Sequence, residues 1–136
     1  MTKVLFDTNI LVSTILHNSG VPSQAYRKAV ELPYQGMICE QTFEELRRVF
    51  SRKFPNKIYL LEKFIAAALP VVDVISVPLS KHPDEDEIRD IDDRPILRAA
   101  IKAGADIILT GDNDFLESAI THPKIMRAAQ FVQAES

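Results

Sequence analysis

Short apolar runs alternate along this chain with longer stretches of helical periodicity. Lys3-Val4-Leu5-Phe6 opens the chain as a strand-like run and stops at Asp7-Thr8-Asn9, the signature of a buried strand. Ile10 to Leu16 then predicts a short helix with Asn9 near its cap. After a His17–Gly20 loop, Pro22 and Ser23 start a helix running to about Leu32. Pro33 and Gly36 bracket a turn before a brief strand, Met37 to Cys39. Thr42 to Phe50 is amphipathic, with Phe43, Leu46, Val49 and Phe50 at helical spacing. Pro55-Asn56 breaks it, and Lys57 to Leu69 repeats the pattern with Ile58, Leu61, Phe64, Ile65 and Ala68.

Pro70 ends that helix, and Val71 to Val77 is strand-like. Pro78 to Asp93 is polar and acidic, which predicts a surface loop. Arg94 to Ala103 is helical with Gly104 as its natural C-cap. The strand Asp106–Leu109 precedes Thr110-Gly111-Asp112-Asn113-Asp114. Asn113 to Ala119 predicts a short helix or turn, followed by a strand near Ile125 and a turn containing Phe131. Helices alternating with short strands imply an α/β sandwich with a mostly parallel central sheet.

That order places acids at strand ends. Asp7 follows the first strand and Asp112 the Asp106–Leu109 strand, so both fall at the carboxyl edge where open α/β sheets gather their sites. Asp114 lies two residues beyond. Asp93 precedes a helix, whose terminal N–H groups favour negative charge. Glu45 sits mid-helix beside the apolar Leu46, at the border of a buried face. Crowded carboxylates repel, and a hard divalent cation relieves the repulsion. Oxygen ligands without His or Cys suit Mg²⁺ or Mn²⁺ and do not suit structural zinc. The chemistry this points to is metal-assisted hydrolysis of a phosphate ester. Thr8, Asn9 and Thr110 are placed to orient these carboxylates and satisfy their spare lone pairs.

Each acid also has a plain structural explanation. Asp7 and Asp93 could serve as helix caps, Glu45 could be solvated like Glu44 beside it, and Asp112 and Asp114 could be turn formers. The joint order of a strand-end Asp, a helix Glu, a helix-start Asp and a strand-end Asp-x-Asp favours a common site.

Composition refines this picture. The 136 residues suit one domain, 1–136, and 46% apolar with 26% charged residues fits a folding, soluble chain. No apolar run approaches a membrane span and no signal peptide is visible. The lone Cys39 excludes an internal disulfide and reads as structural, which with the rest points to the cytoplasm. Net charge is −3, with 19 acids against 16 Lys plus Arg, not the basic balance of most nucleic-acid binders. Bases nevertheless concentrate at Arg47, Arg48, Arg52 and Lys53, where they could guide a phosphate backbone. A solvated helix face explains the same cluster. His17, His82 and His122 fall in predicted loops without metal-ligand spacing.

These residues resemble the PIN domain. The resemblance rests on Asp7-Thr8-Asn9, the acidic helix at Glu45, Asp93 before Pro95-Ile96-Leu97-Arg98-Ala99-Ala100, and Thr110-Gly111-Asp112-Asn113-Asp114. It extends from Lys3 to about Phe131 and is greatest for compact prokaryotic PIN proteins of toxin–antitoxin pairs. It implies a Rossmann-like three-layer α/β/α fold and a Mg²⁺- or Mn²⁺-dependent endoribonuclease. On the residues, the family's acids fall on Asp7, Glu45 (rival Glu44), Asp93 (rival Asp92) and Asp112, with Asp114 accessory. The family's Asn and Thr fall on Asn9 and Thr110. The resemblance also implies a small antitoxin partner and a homo-oligomer, commonly a dimer in the family, for which the apolar faces of the Thr42–Leu69 helices offer a surface.

Two other readings compete. One keeps the fold as a non-catalytic RNA- or protein-binding module whose acids are structural. The other is a phosphotransfer receiver using Asp7 as acceptor, disfavoured because no second Asp follows Asp7 at two residues.

Overall fold

The computed structural model describes residues 1–134. Five parallel strands run β3-β2-β1-β4-β5 across one sheet. They are β1 (Thr2–Phe6), β2 (Tyr34–Cys39), β3 (Asp73–Ile75), β4 (Ile107–Leu109) and β5 (Lys124–Met126). The register sets Leu5 opposite Met37 on one side and Ile108 on the other.

Strand side chains alternate between two cores, which is why β1 reads as a continuous apolar run. Val4 and Phe6 face α1 (Thr8–Leu16), α2 (Val21–Ala29), α3 (Glu40–Lys53), α4 (Ile58–Ala68) and α7 (Ala128–Gln133). Leu5, Met37 and Ile108 face α5 (Arg94–Ala103) and α6 (Asn113–Leu116). The result is a three-layer α/β/α sandwich. No helix among the described residues is long and apolar enough to cross a membrane.

Several boundaries differ from the sequence pattern, each for a physical reason. The first helix begins at Thr8, because Asp7 rather than Asn9 is its N-cap. The second stops at Ala29, short of Leu32, which is exposed. β2 starts earlier, at Tyr34, and β3 shrinks to Asp73–Ile75 at the sheet's edge. The helix predicted over Thr42–Phe50 is extended at both ends as α3. The turn expected around Phe131 is α7: Phe131 packs edge-on to Tyr34 at 5.0 Å, and Lys28 Nζ donates to the carbonyls of Phe131 and Ala134 at the helix end. On the apolar faces of α3 and α4, Leu46, Phe50, Leu61 and Ile65 are buried in the core, while Ile58 at the start of α4 stays exposed.

The largest correction concerns Pro78–Asp93, expected as a surface loop. It contains two 3-10 turns, Pro83–Glu87 and Ile91–Asp93, with Ile88 fully buried between them. Glu85 is buried too, and Arg98 on α5 meets it through two bonds, Nε to Oε2 and Nη2 to Oε1, both 3.0 Å, while Nη1 donates to the Pro78 carbonyl. Side-chain exposures of 14% and 3% make this a buried, bidentate pair. Removing one partner would leave a buried charge unmatched. Arg98→Ala is therefore expected to destabilise the fold, seen as a lower urea midpoint at unchanged slope.

Candidate metal centre

Because every strand runs the same way, the carboxyl ends of β2, β1, β4 and β5 line one edge of the sheet. Asp7 leaves β1 with its backbone still in the ladder, its N–H donating to the Leu109 carbonyl at 2.9 Å. Its buried carboxylate is held at both oxygens: Oδ1 accepts from Thr8 N–H at 2.8 Å, and Oδ2 from Thr110 Oγ1 at 2.7 Å. Asp7 is thus a helix cap, as its plain explanation held, yet only one oxygen does that work.

Thr110 links the first acid to the last. Its hydroxyl donates to Asp7 and accepts from the Asp112 N–H at 3.0 Å. Asp112 caps α6 through Oδ1, which accepts from Asp114 N–H at 2.8 Å. Asn9 fastens the same loop, its Oδ1 accepting from Gly111 N–H at 3.3 Å. Thr8 is positioned differently: its hydroxyl is buried and finds no partner among the described residues.

Asp93 comes to this edge from the opposite layer. It occupies the cap position of α5 but its side chain makes no capping bond, so capping does not explain it. Its Oδ2 is fully buried and accepts no hydrogen bond. Carboxylate oxygens of Asp90, Asp93 and Asp112 lie within 4.8 Å of one another. Asp90 was not anticipated. Its Oδ1 accepts from Asp92 N–H and its carbonyl from Asp93 N–H, closing the 3-10 turn that folds Asp90 back beside Asp93. The Asp-x-x-Asp spacing was the available signal, masked by the acidic stretch around it.

Burial is the dominant electrostatic fact of this edge, with charge repulsion between the carboxyls added to it. Burial pushes the Asp7 carboxyl up to about 6 against the pull of its Thr110 and Thr8 bonds, with Glu45 and Asp112 adding repulsion. Burial and the facing Asp112 carboxyl push Asp93 to about 9, with the charge of Asp7 contributing. Burial likewise raises the Cys39 thiol to about 12, in keeping with a structural cysteine.

The remaining expected residues divide. Glu45 is exposed on α3, close enough to act on Asp7 electrostatically; its rival Glu44 exerts no such effect, although both line an open groove of 870 Å³. Arg48, Arg52 and Asp92 line that groove too. Asp92 thus faces the groove while Asp93 joins the cluster. Three of the expected residues, Asp114, Arg47 and Lys53, do not converge. Asp114 is ion-paired to Arg89 at 2.7 Å and Asp90 takes the place expected of it in the cluster. Arg47 is paired with Glu62 of α4, and neither it nor Lys53 lines the groove.

An all-carboxylate donor set with a buried, unpartnered oxygen fits a hard divalent cation, which would satisfy Asp93 Oδ2 and screen the repulsion at once. A family model for the PIN domain matches residues 3–114, from the first strand through Asp114. The chain belongs to the PIN domain family. An uncharacterized protein of Methanocaldococcus jannaschii is 27% identical over 118 residues, covering 84% of this PIN chain and 73% of the relative.

Among solved structures, the PIN chain superposes with DNA-bound VapBC from Salmonella typhimurium at a TM-score of 0.68 and 18% identity, covering 94% of this chain and 99% of that one. VapBC2 from Rickettsia felis, bound to a DNA fragment from its promoter, gives 0.65 at 17% identity, covering 87% and 94%. At such identities the likeness speaks for the PIN fold.

Proposed function

We propose that this PIN domain is a divalent-metal-dependent endoribonuclease and the toxin of a toxin–antitoxin pair. The observation that carries the enzymatic reading is the cluster of Asp90, Asp93 and Asp112 around an unpartnered buried oxygen, near the buried Asp7. A binding module with purely structural acids would gain nothing from burying carboxylates that raise one another's proton affinity.

In this reading Asp93 and Asp112 would hold a Mg²⁺ or Mn²⁺ ion, with Asp90 and Asp7 completing the negative site and Glu45 adding charge from α3. When bound, the ion supplies Lewis-acid activation of the phosphodiester and its attacking water. The chain's own residues do the positioning. Thr110 locks Asp7 and the Asp112 loop in one hydrogen-bond relay, so the two strand-end acids keep a fixed separation. Asn9 fixes Gly111 from the other side. Arg48 and Arg52 supply positive charge in the groove beside Glu45, offsetting the acids for an approaching phosphate backbone. An antitoxin would act by covering this groove; the likeness to VapBC assemblies supports such a partner.

A labelled single-stranded RNA incubated with the chain tests the reading. Cleavage with Mn²⁺ or Mg²⁺, none with EDTA, and at least a 100-fold loss in Asp93→Asn are expected. Metal-independent cleavage, or full activity in Asp93→Asn, would refute it.

A further inference from the structure

Most cations around the carboxyl edge are already committed. Arg89 is bound by Asp114 and Glu117, Arg98 by Glu85, and Arg94 is bonded to the Ile88 carbonyl beside Asp86. Arg127 is not. It is exposed and makes no ion pair among the described residues. The parallel sheet fixes its place: Arg127 follows β5 as Thr110 follows β4 and Asp7 follows β1. Reading along the edge, one meets the start of α3 after β2, then Asp7 after β1, then Thr110 and Asp112 after β4, then Arg127 after β5. From β2 to β5 is three strand spacings, about 14 Å.

Arg127 also lines a second cleft, of 360 Å³, whose wall includes Asn9, Thr110 and Gly111. Those are the residues that hold the acids in place. Residues that hold the acids thus border a cleft carrying Arg127, and Glu45 borders a groove carrying Arg48 and Arg52; none of these three arginines is ion-paired among the described residues. A chain of negative net charge repels a polyanion on average, so the approach has to be steered by local unpaired cations. One flank of them would hold an RNA end beside the acids. Two flanks hold a strand across them.

We propose that Arg127 is a backbone-binding residue for the substrate, and that a single RNA strand crosses the acidic edge from the Arg48–Arg52 groove to the Arg127 cleft. The inference rests on the ribonuclease reading above and adds the path of the strand.

The test is fluorescence anisotropy of a labelled single-stranded oligoribonucleotide in EDTA, across a salt series, on the full chain and on Arg127→Gln, Arg127→Lys and Arg47→Ala, each first shown folded by circular dichroism. Arg127→Gln is expected to weaken binding about fivefold and to reduce the salt slope by about 0.7, with Mn²⁺ affinity unchanged. Arg127→Lys retains the charge and should restore most of the binding. Arg47→Ala, whose parent residue is paired with Glu62, should leave it within about twofold. Affinity and slope equal to the parent's in Arg127→Gln overturn the path while leaving the nuclease reading intact. A parent chain that binds no RNA even at low salt overturns the path, whereas the nuclease reading falls only if the parent also fails to cleave RNA with Mn²⁺.

Discussion

Asp7→Asn is expected to reduce RNA cleavage at least 100-fold while making the protein more stable. The two effects have one cause. Asp7 is nearly inaccessible, and its carboxyl is raised from 3.8 to about 6 by burial, Glu45 and Asp112. Holding it charged at neutral pH costs the fold about 3 kcal/mol in the absence of a cation. Asparagine keeps the shape and still accepts from Thr8 N–H, but it removes the charge. Its amide can no longer accept the Thr110 hydroxyl proton, which returns about 1 kcal/mol of that gain. The net expectation is a stabilisation of about 1–2 kcal/mol, read as a higher thermal midpoint in EDTA. A structural acid would show the reverse, a loss of stability with little change in any activity.

Stability in EDTA is expected to rise, not fall, as pH drops from 7 toward 5. A carboxyl whose folded value lies above its unfolded one favours the native state in its protonated form. That contribution is complete below the unfolded value, 3.8 for Asp7, and is lost as pH rises through about 6. Asp93 adds in the same direction at higher pH, its contribution vanishing as pH rises through about 9. Glu85 opposes them. Arg98 holds it near 2, below its ordinary 4.5, so its contribution is present above 4.5 and disappears as pH falls toward 2. Urea unfolding across pH should therefore show a maximum on the acid side of neutrality, where the lower end of the Asp7 window meets the upper end of the Glu85 window. Saturating Mn²⁺ should flatten the alkaline limb, since a bound cation takes the place of the protons. A curve that climbs steadily from pH 5 to 8 in EDTA would show that these carboxylates are not strained in the native state.

The sheet and two of its acids were legible in the sequence because burial on both faces leaves a plain mark. Val4, Leu5 and Phe6 are apolar in succession only because alternate residues meet different helical layers, and the polar residue that ends such a run, Asp7, has to lie at the edge. Asp112 was visible for the same reason after β4. The helix start at Asp93 was readable from Pro95 and the apolar spacing behind it.

What the sequence hid depends on contacts between distant residues. Glu85 looks like one more solvated acid until Arg98, thirteen positions on, is folded against it. Asp90 lies in the same acidic stretch, and only the 3-10 turn anchored by buried Ile88 brings it to Asp93. Asp114 has the right spacing from Asp112, but Arg89 claims its carboxylate from a segment read as a loop. Arg127 belongs to no basic cluster in the sequence. The parallel sheet alone places it near the acids.

Calorimetric titration of the chain with Mn²⁺ at pH 7, in buffers of different ionisation enthalpy and beside an Asp93→Asn variant shown to be folded, tests the cation site most directly. Saturable binding is expected, with proton release to the buffer in the parent as the ion displaces the proton that burial and Asp112 favour on Asp93. Affinity should collapse in the variant. Mn²⁺ binding of equal affinity in both, or none in the parent, would contradict a metal centre at Asp90, Asp93 and Asp112.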